Sequence, residues 1–139
     1  MIQKFYTFKL NTSGQKLYNF TNNVDKWIET NKFRNGIINL SIQHTSASLI
    51  IQENTDPDVK TDLLNYYNKL VPMDNKLYIH TTEGKDDMPA HIKSSLTNSQ
   101  ISLSIKNGKL LLGTWQGIYL FEHRLNAQNR LIIFHYLGD

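Results

Sequence analysis

Tyr6, Phe8 and Leu10 fall on one face of an alternating stretch from Ile2 to Leu10, which predicts a strand. The polar run Asn11-Thr12-Ser13-Gly14 ends it. The period then lengthens: Val24, Trp27 and Ile28 recur at helical spacing behind a cap at Thr21 or Asn22, and Gly36 lies past the end. Ile37 to Gln43 and Ser46 to Glu53 return to strand, with His44-Thr45 between them. Asn54-Thr55-Asp56-Pro57 has the form of a helix start. Val59, Leu63, Leu64, Tyr67, Leu70 and Val71 follow at helical spacing until Pro72. Pro89 opens a short helix through His91, Ile92 and Leu96.

The last third reads as strand throughout. Ile101, Leu103 and Ile105 alternate, and Asn107-Gly108 is a hairpin signal, because a type I′ turn needs positive φ at both central positions. Leu110 to Trp115, Ile118 to His123 and Leu131 to Leu137 supply further strands, and Trp115-Gln116-Gly117 marks a turn or a close backbone approach. Hairpins mixed with two or three helices predict an α+β fold, a mainly antiparallel sandwich-like sheet in one domain over residues 1–139.

Composition narrows the class. A 40% hydrophobic and 19% charged chain of 139 residues can bury a core of its own. The net charge of +3 is spread from Lys4 to Arg130 without a cluster, which argues against a nucleic-acid partner. There is no cysteine, hence no disulfide and no thiolate ligand. No signal-peptide pattern or membrane-length apolar run occurs, so no membrane partner is expected and a cytoplasmic location is.

The candidate chemistry is concentrated in a few segments. His44, at a strand end beside Thr45 and Ser46, suits a metal ligand, a proton carrier or a phosphate contact, or simply a bond to local backbone. Glu53 to Asp58 reads mostly as helix capping. The segment from His80 to His91 holds both histidines with Glu83, Asp86 and Asp87 around Gly84, a donor density that suits Zn²⁺ or another divalent ion. Trp115 and Gln116 suit a pocket wall, whereas Glu122 and Arg124 share a strand face and could form a surface ion pair. His135 reads as structural. No nucleophile elbow, P-loop, HExxH or GxGxxG is present.

Taken in order, His44-Thr45-Ser46-Ala47, Glu53-Asn54-Thr55-Asp56-Pro57, Glu83-Gly84, Asp86-Asp87-Met88-Pro89-Ala90-His91-Ile92-Lys93, Leu112-Gly113-Thr114-Trp115-Gln116-Gly117-Ile118 and Glu122-His123-Arg124 resemble the YjbQ-like family. The resemblance implies a small α+β protein that associates as a homotrimer, with the secondary thiamine-phosphate synthase reaction as one activity. That reaction joins a pyrimidine-methyl pyrophosphate to a thiazole phosphate. A pocket would fall on His44, Glu83, Asp87 and His91 as catalytic residues, with His44, His80 and His91 holding Zn or Mg. Trp115, Gln116, Lys93, Glu122 and Arg124 would contact a small phosphorylated metabolite. A metal-dependent hydrolase, or a binding module without turnover, uses the same pocket.

Overall fold

A computed structural model describes residues Met1–Asp139. In chain order the elements are β1 (Ile2–Ser13), β2 (Lys16–Asn19), α1 (Thr21–Asn31), β3 (Gly36–Ile42), β4 (Ala47–Glu53), α2 (Pro57–Leu70), α3 (Asp87–Leu96), β5 (Gln100–Lys106), β6 (Lys109–Leu110), β7 (Gln116–Glu122) and β8 (Ala127–Gly138). A 3₁₀ turn, Asn75–Leu77, lies between α2 and α3. The fold is α+β, with every strand pair antiparallel. A five-stranded sheet runs β1-β8-β3-β5-β6 and a three-stranded sheet runs β2-β7-β4.

The core follows from strand alternation. Ile38, Leu40 and Ile42 of β3 meet Ile132, Phe134 and Tyr136 of β8, with Ile118 and Leu120 of β7 in the same cluster. Phe20, Val24 and Ile28 bring the apolar stripe of α1 onto it. The other face of β7 carries Tyr119 and Phe121, which pack with Leu17 under Leu63, Leu64 and Tyr67 of α2. Burial on both faces explains why β7 reads as a continuous apolar run.

The sequence reading departs from the fold at several ends. β1 continues through Asn11-Thr12-Ser13, because twelve-residue β8 pairs with it to Ala127. Neither Thr21 nor Asn22 caps α1: Phe20 holds the cap position, and Asn19 Oδ1 accepts from the Thr21 N–H instead. That helix closes on Lys32 at φ 56, well before Gly36. The Asn107-Gly108 turn has φ of 52° and 80°, as its type requires. Of the strand expected from Leu110 to Trp115 only Leu110 is ladder-paired. No helix is long and apolar enough to cross a membrane.

Candidate functional site

The site forms where β3 ends, β4 begins and β7 ends. Ala47 of β4 pairs with Glu122 of β7, so His44-Thr45-Ser46 and His123-Arg124 emerge at the same edge. α3 lies across it. That helix begins at Asp87, two residues before Pro89, whose missing N–H costs nothing in a first turn. The early start has a chemical consequence: Asp87 and His91 stand four residues apart on one helix face. Gly84 shapes the approach. It sits at φ +104, its carbonyl accepts from the Asp87 N–H, and a Cβ there would come within 3.0 Å of Asp86 Oδ1.

Asp87 is the centre of the arrangement. Its Oδ1 accepts from Arg124 Nη1 at 2.6 Å. Its Oδ2 faces His80 Nε2 at 2.6 Å and His91 Nε2 at 3.2 Å. The other ring nitrogen of His91, Nδ1, donates to the Thr45 carbonyl at 2.9 Å. A carbonyl only accepts, so that bond fixes a proton on Nδ1 and turns Nε2 toward the carboxylate. Burial, the largest single effect, pushes the Asp87 carboxyl upward. The His80 bond and the charges of Arg124 and His91 outweigh it and hold the group below its ordinary value.

Ligand atoms of His80, Asp87 and His91 lie within 4.8 Å of one another. Two imidazoles and a carboxylate are the donor set of catalytic zinc sites, and a backbone carbonyl behind one imidazole is the usual orienting contact. The residues present therefore fit a borderline divalent ion. They fit Mg²⁺ poorly, because that ion prefers oxygen donors throughout.

The remaining candidates are placed as follows. His44 lies outside this triad: its Nε2 accepts from the Leu131 N–H at 2.9 Å, which occupies the lone pair a metal would need. It instead lines a cavity of about 350 Å³ that also reaches His91. Glu83 is exposed and contributes its carbonyl, which accepts from Arg124 Nη2. Arg124 also donates from Nε to Asp86 Oδ2 at 2.9 Å, so its guanidinium is committed to the loop rather than free for phosphate. Lys93, 1% exposed, donates to Asn68 Oδ1 at 2.6 Å, and burial pulls its amine down to about 8 against the opposing charge of Asp86. Glu122 does not pair with Arg124 on the surface. It is fully buried and bonded to Arg130, a partner on the next strand that the local pattern does not mark.

Trp115 and Gln116 are elsewhere. They sit at the opposite end of the β4–β7 ladder, where Glu53 pairs with Gln116, ~20 Å away at the usual strand rise. There the Asn54 N–H donates to the Trp115 carbonyl and Gln116 Oε1 accepts from the Gly113 N–H. Within one chain this is a turn closure, not part of the histidine pocket. The largest cavity, about 810 Å³ between the end of α1 and the β5–β6 turn, is also remote from the triad and is lined by Asp25, Glu29, Lys32 and Arg34 without a histidine. Chemistry rather than volume directs attention to the smaller one.

The family model described as UPF0047 protein YjbQ-like matches residues 6–139. The chain belongs to that family. Family relatives include the UPF0047 protein sll1880 of Synechocystis, 48% identical over 92% of this chain and 87% of its own length. The YjbQ protein of Salmonella typhimurium is 48% identical over 75% of each chain. Among solved structures, the YjbQ/UPF0047 family protein of Clostridium acetobutylicum is 34% identical, with a TM-score of 0.86 over 95% of this chain and 99% of that one. The Aeropyrum pernix protein APE1520 matches the fold at a TM-score of 0.89, covering 98% of this chain and 99% of that one at 23% identity. None of these names states an activity.

Proposed function

We propose that this chain is a metal-dependent enzyme in which His80, Asp87 and His91 hold a zinc-type ion. The observation that supports it most is the convergence of two imidazole Nε2 atoms on one buried carboxylate oxygen, with the second oxygen clamped by Arg124. Such an ion supplies Lewis acidity toward an oxygen of substrate or water. The chain's own residues do the rest. Arg124 keeps Asp87 ionised and fixed, Thr45 orients His91, and the cavity beside His91 receives the substrate.

Hydrolysis at a polar bond is the reaction we favour. Thiamine-phosphate formation would use the same ion, but it needs cations to neutralise a departing pyrophosphate. Arg124 and Lys93 are both engaged by protein partners, which leaves exposed Lys85 as the free base of this loop. Elemental analysis of the purified protein, its His80→Ala and its His91→Ala variants tests the metal. Stoichiometric zinc in the parent and its loss in both variants is expected. No zinc uptake by the parent, or unchanged content in both variants, overturns it. Incubation with the two thiamine precursors separates the reactions, since formation of thiamine phosphate would replace the hydrolytic reading.

A homotrimer is part of the same proposal. The outer face of the five-stranded sheet presents Phe5 at 60%, Ile37 at 52% and Leu137 at 43% exposure, an apolar patch of the kind that marks association. A monomeric mass in sedimentation at micromolar concentration would contradict it.

A further inference from the structure

The cavity beside the triad has a character of its own. His44, Thr45, Ser94, Thr97 and Ser99 line it together with His91, and no lysine, arginine, aspartate or glutamate does. It lies along the last turn of α3, where the helix dipole is negative and disfavours an anion. Ser94 Oγ is closed to solvent and has no hydrogen-bond partner, whereas Ser95 Oγ donates to the Ile92 carbonyl and Thr97 Oγ1 to Ser48 Oγ, which leaves those two oxygens free to accept. A hydroxyl both donates and accepts, so such a wall suits an uncharged polar group.

His44 gives this wall a direction. The Leu131 backbone N–H can only donate, so His44 Nε2 carries a lone pair and the neutral ring holds its proton on Nδ1. Nδ1 has no partner within the chain. A neutral imidazole fixed in this way is a hydrogen-bond donor, neither a base nor a ligand. Burial and the charge of Arg130 both push His44 toward the neutral form, against a smaller effect of Glu122.

We propose that this cavity binds an uncharged carbonyl-bearing group of the substrate, with His44 Nδ1–H donating to the carbonyl oxygen and the hydroxyl side chains at and just beyond the end of α3 surrounding the remainder. The proposal rests on the metal-enzyme reading only for the identity of the bond attacked next to His91. It disfavours a phosphate as the group seated here, since no lysine or arginine lines the cavity to replace the water an anion would lose.

The test is ¹⁵N-imidazole and amide NMR on the full chain, metal-free and zinc-loaded, titrated with acetamide and separately with inorganic phosphate. The expected result is a neutral His44 with its proton on Nδ1, moved saturably by acetamide in both forms and unmoved by phosphate in the metal-free form. His44→Gln keeps an acceptor for Leu131 and a donor for the ligand, so it should retain acetamide shifts at Ser94 and Thr97. His44→Ala should weaken acetamide binding by about tenfold, the value of one hydrogen bond to a polar ligand. A proton on Nε2, or phosphate shifting the cavity while acetamide does not, overturns the proposal. Failure to load zinc with acetamide binding intact would overturn the metal reading and leave this one standing.

Discussion

Glu122 and Asp87 are both buried carboxylates beside an arginine, at the same end of the β4–β7 ladder, yet their surroundings differ in kind. Glu122 is saturated by donors that cannot change. Thr12 Oγ1 donates at 2.6 Å, Arg130 donates from Nε at 2.8 Å and from Nη2 at 2.5 Å, and the backbone N–H groups of His123 and Arg124 complete the set. Asp87 has one fixed donor, Arg124, and gives its other oxygen to two imidazoles. Each imidazole can meet it with a proton or give up that proton to a cation. A carboxylate closed on all sides belongs to the fold; one shared with exchangeable partners belongs to chemistry.

The largest effect should come from breaking the closed one. Glu122→Gln leaves Arg130 buried and uncompensated, which should cost ~3–5 kcal/mol of stability in urea unfolding. A cost below ~1 kcal/mol would mean that water enters this pair and that the two carboxylates are alike. Asp87→Asn should cost less, ~1–2 kcal/mol, because Arg124 keeps Asp86 and His80 is partly exposed to water. Its main result should be on the metal. Zinc affinity by competition titration should fall well beyond the ~10–100-fold expected for losing an orienting contact.

Arg124→Ala supplies that intermediate case. It should weaken zinc by ~10–100-fold while the His80 and His91 ligands remain. If Arg124→Ala and Asp87→Asn are indistinguishable, the guanidinium is doing more than holding the carboxylate in place.

The ladder and its hydrophobic alternation were readable because period-2 burial leaves a period-2 sequence. The chemistry was only partly readable. Asp87 and His91 carried their signal as an i, i+4 pair, but the expectation that Pro89 opens the helix hid it; the helix starts at Asp87, with proline tolerated in the first turn. The pairing of Glu122 was invisible. It reaches Arg130 across the turn between β7 and β8, whereas Arg124, its apparent strand neighbour, turns to Asp86 and Asp87 some 37 or 38 residues earlier. Trp115 and Gln116 looked like pocket residues because their types suit a pocket. Register, which no local pattern reports, sends them to the far end.

Acid should probe the closed side. His123, next to Glu122, bonds through Nε2 to Ser48 Oγ at 2.9 Å and has no partner for Nδ1. Burial, with the charges of Lys93 and Arg130, pulls its imidazole down to about 3 from 6.5. Between those values the unfolded chain binds the proton and the folded chain does not. Stability from this group is therefore intact above pH 6.5 and falls as pH drops toward 3, by up to ~1.4 kcal/mol per pH unit. His123 ring ¹⁵N shifts should stay constant down to pH 4. Titration near pH 6 would show that this side is open to water after all.

The smallest effect should come from Trp115→Ala. Its side chain is 62% exposed, and the turn is closed by other atoms: the Asn54 N–H on the Trp115 carbonyl and the Asn54 side-chain amide on the Thr114 and Gln116 carbonyls. Truncation removes no buried area of consequence and no donor, so stability should change by less than ~0.5 kcal/mol. Zinc affinity should not move, because the triad lies a whole strand length away. A tenfold loss of zinc affinity would join the two ends of the ladder into one site, and the only route for that is a second copy of the chain bringing its own Trp115 to the histidines.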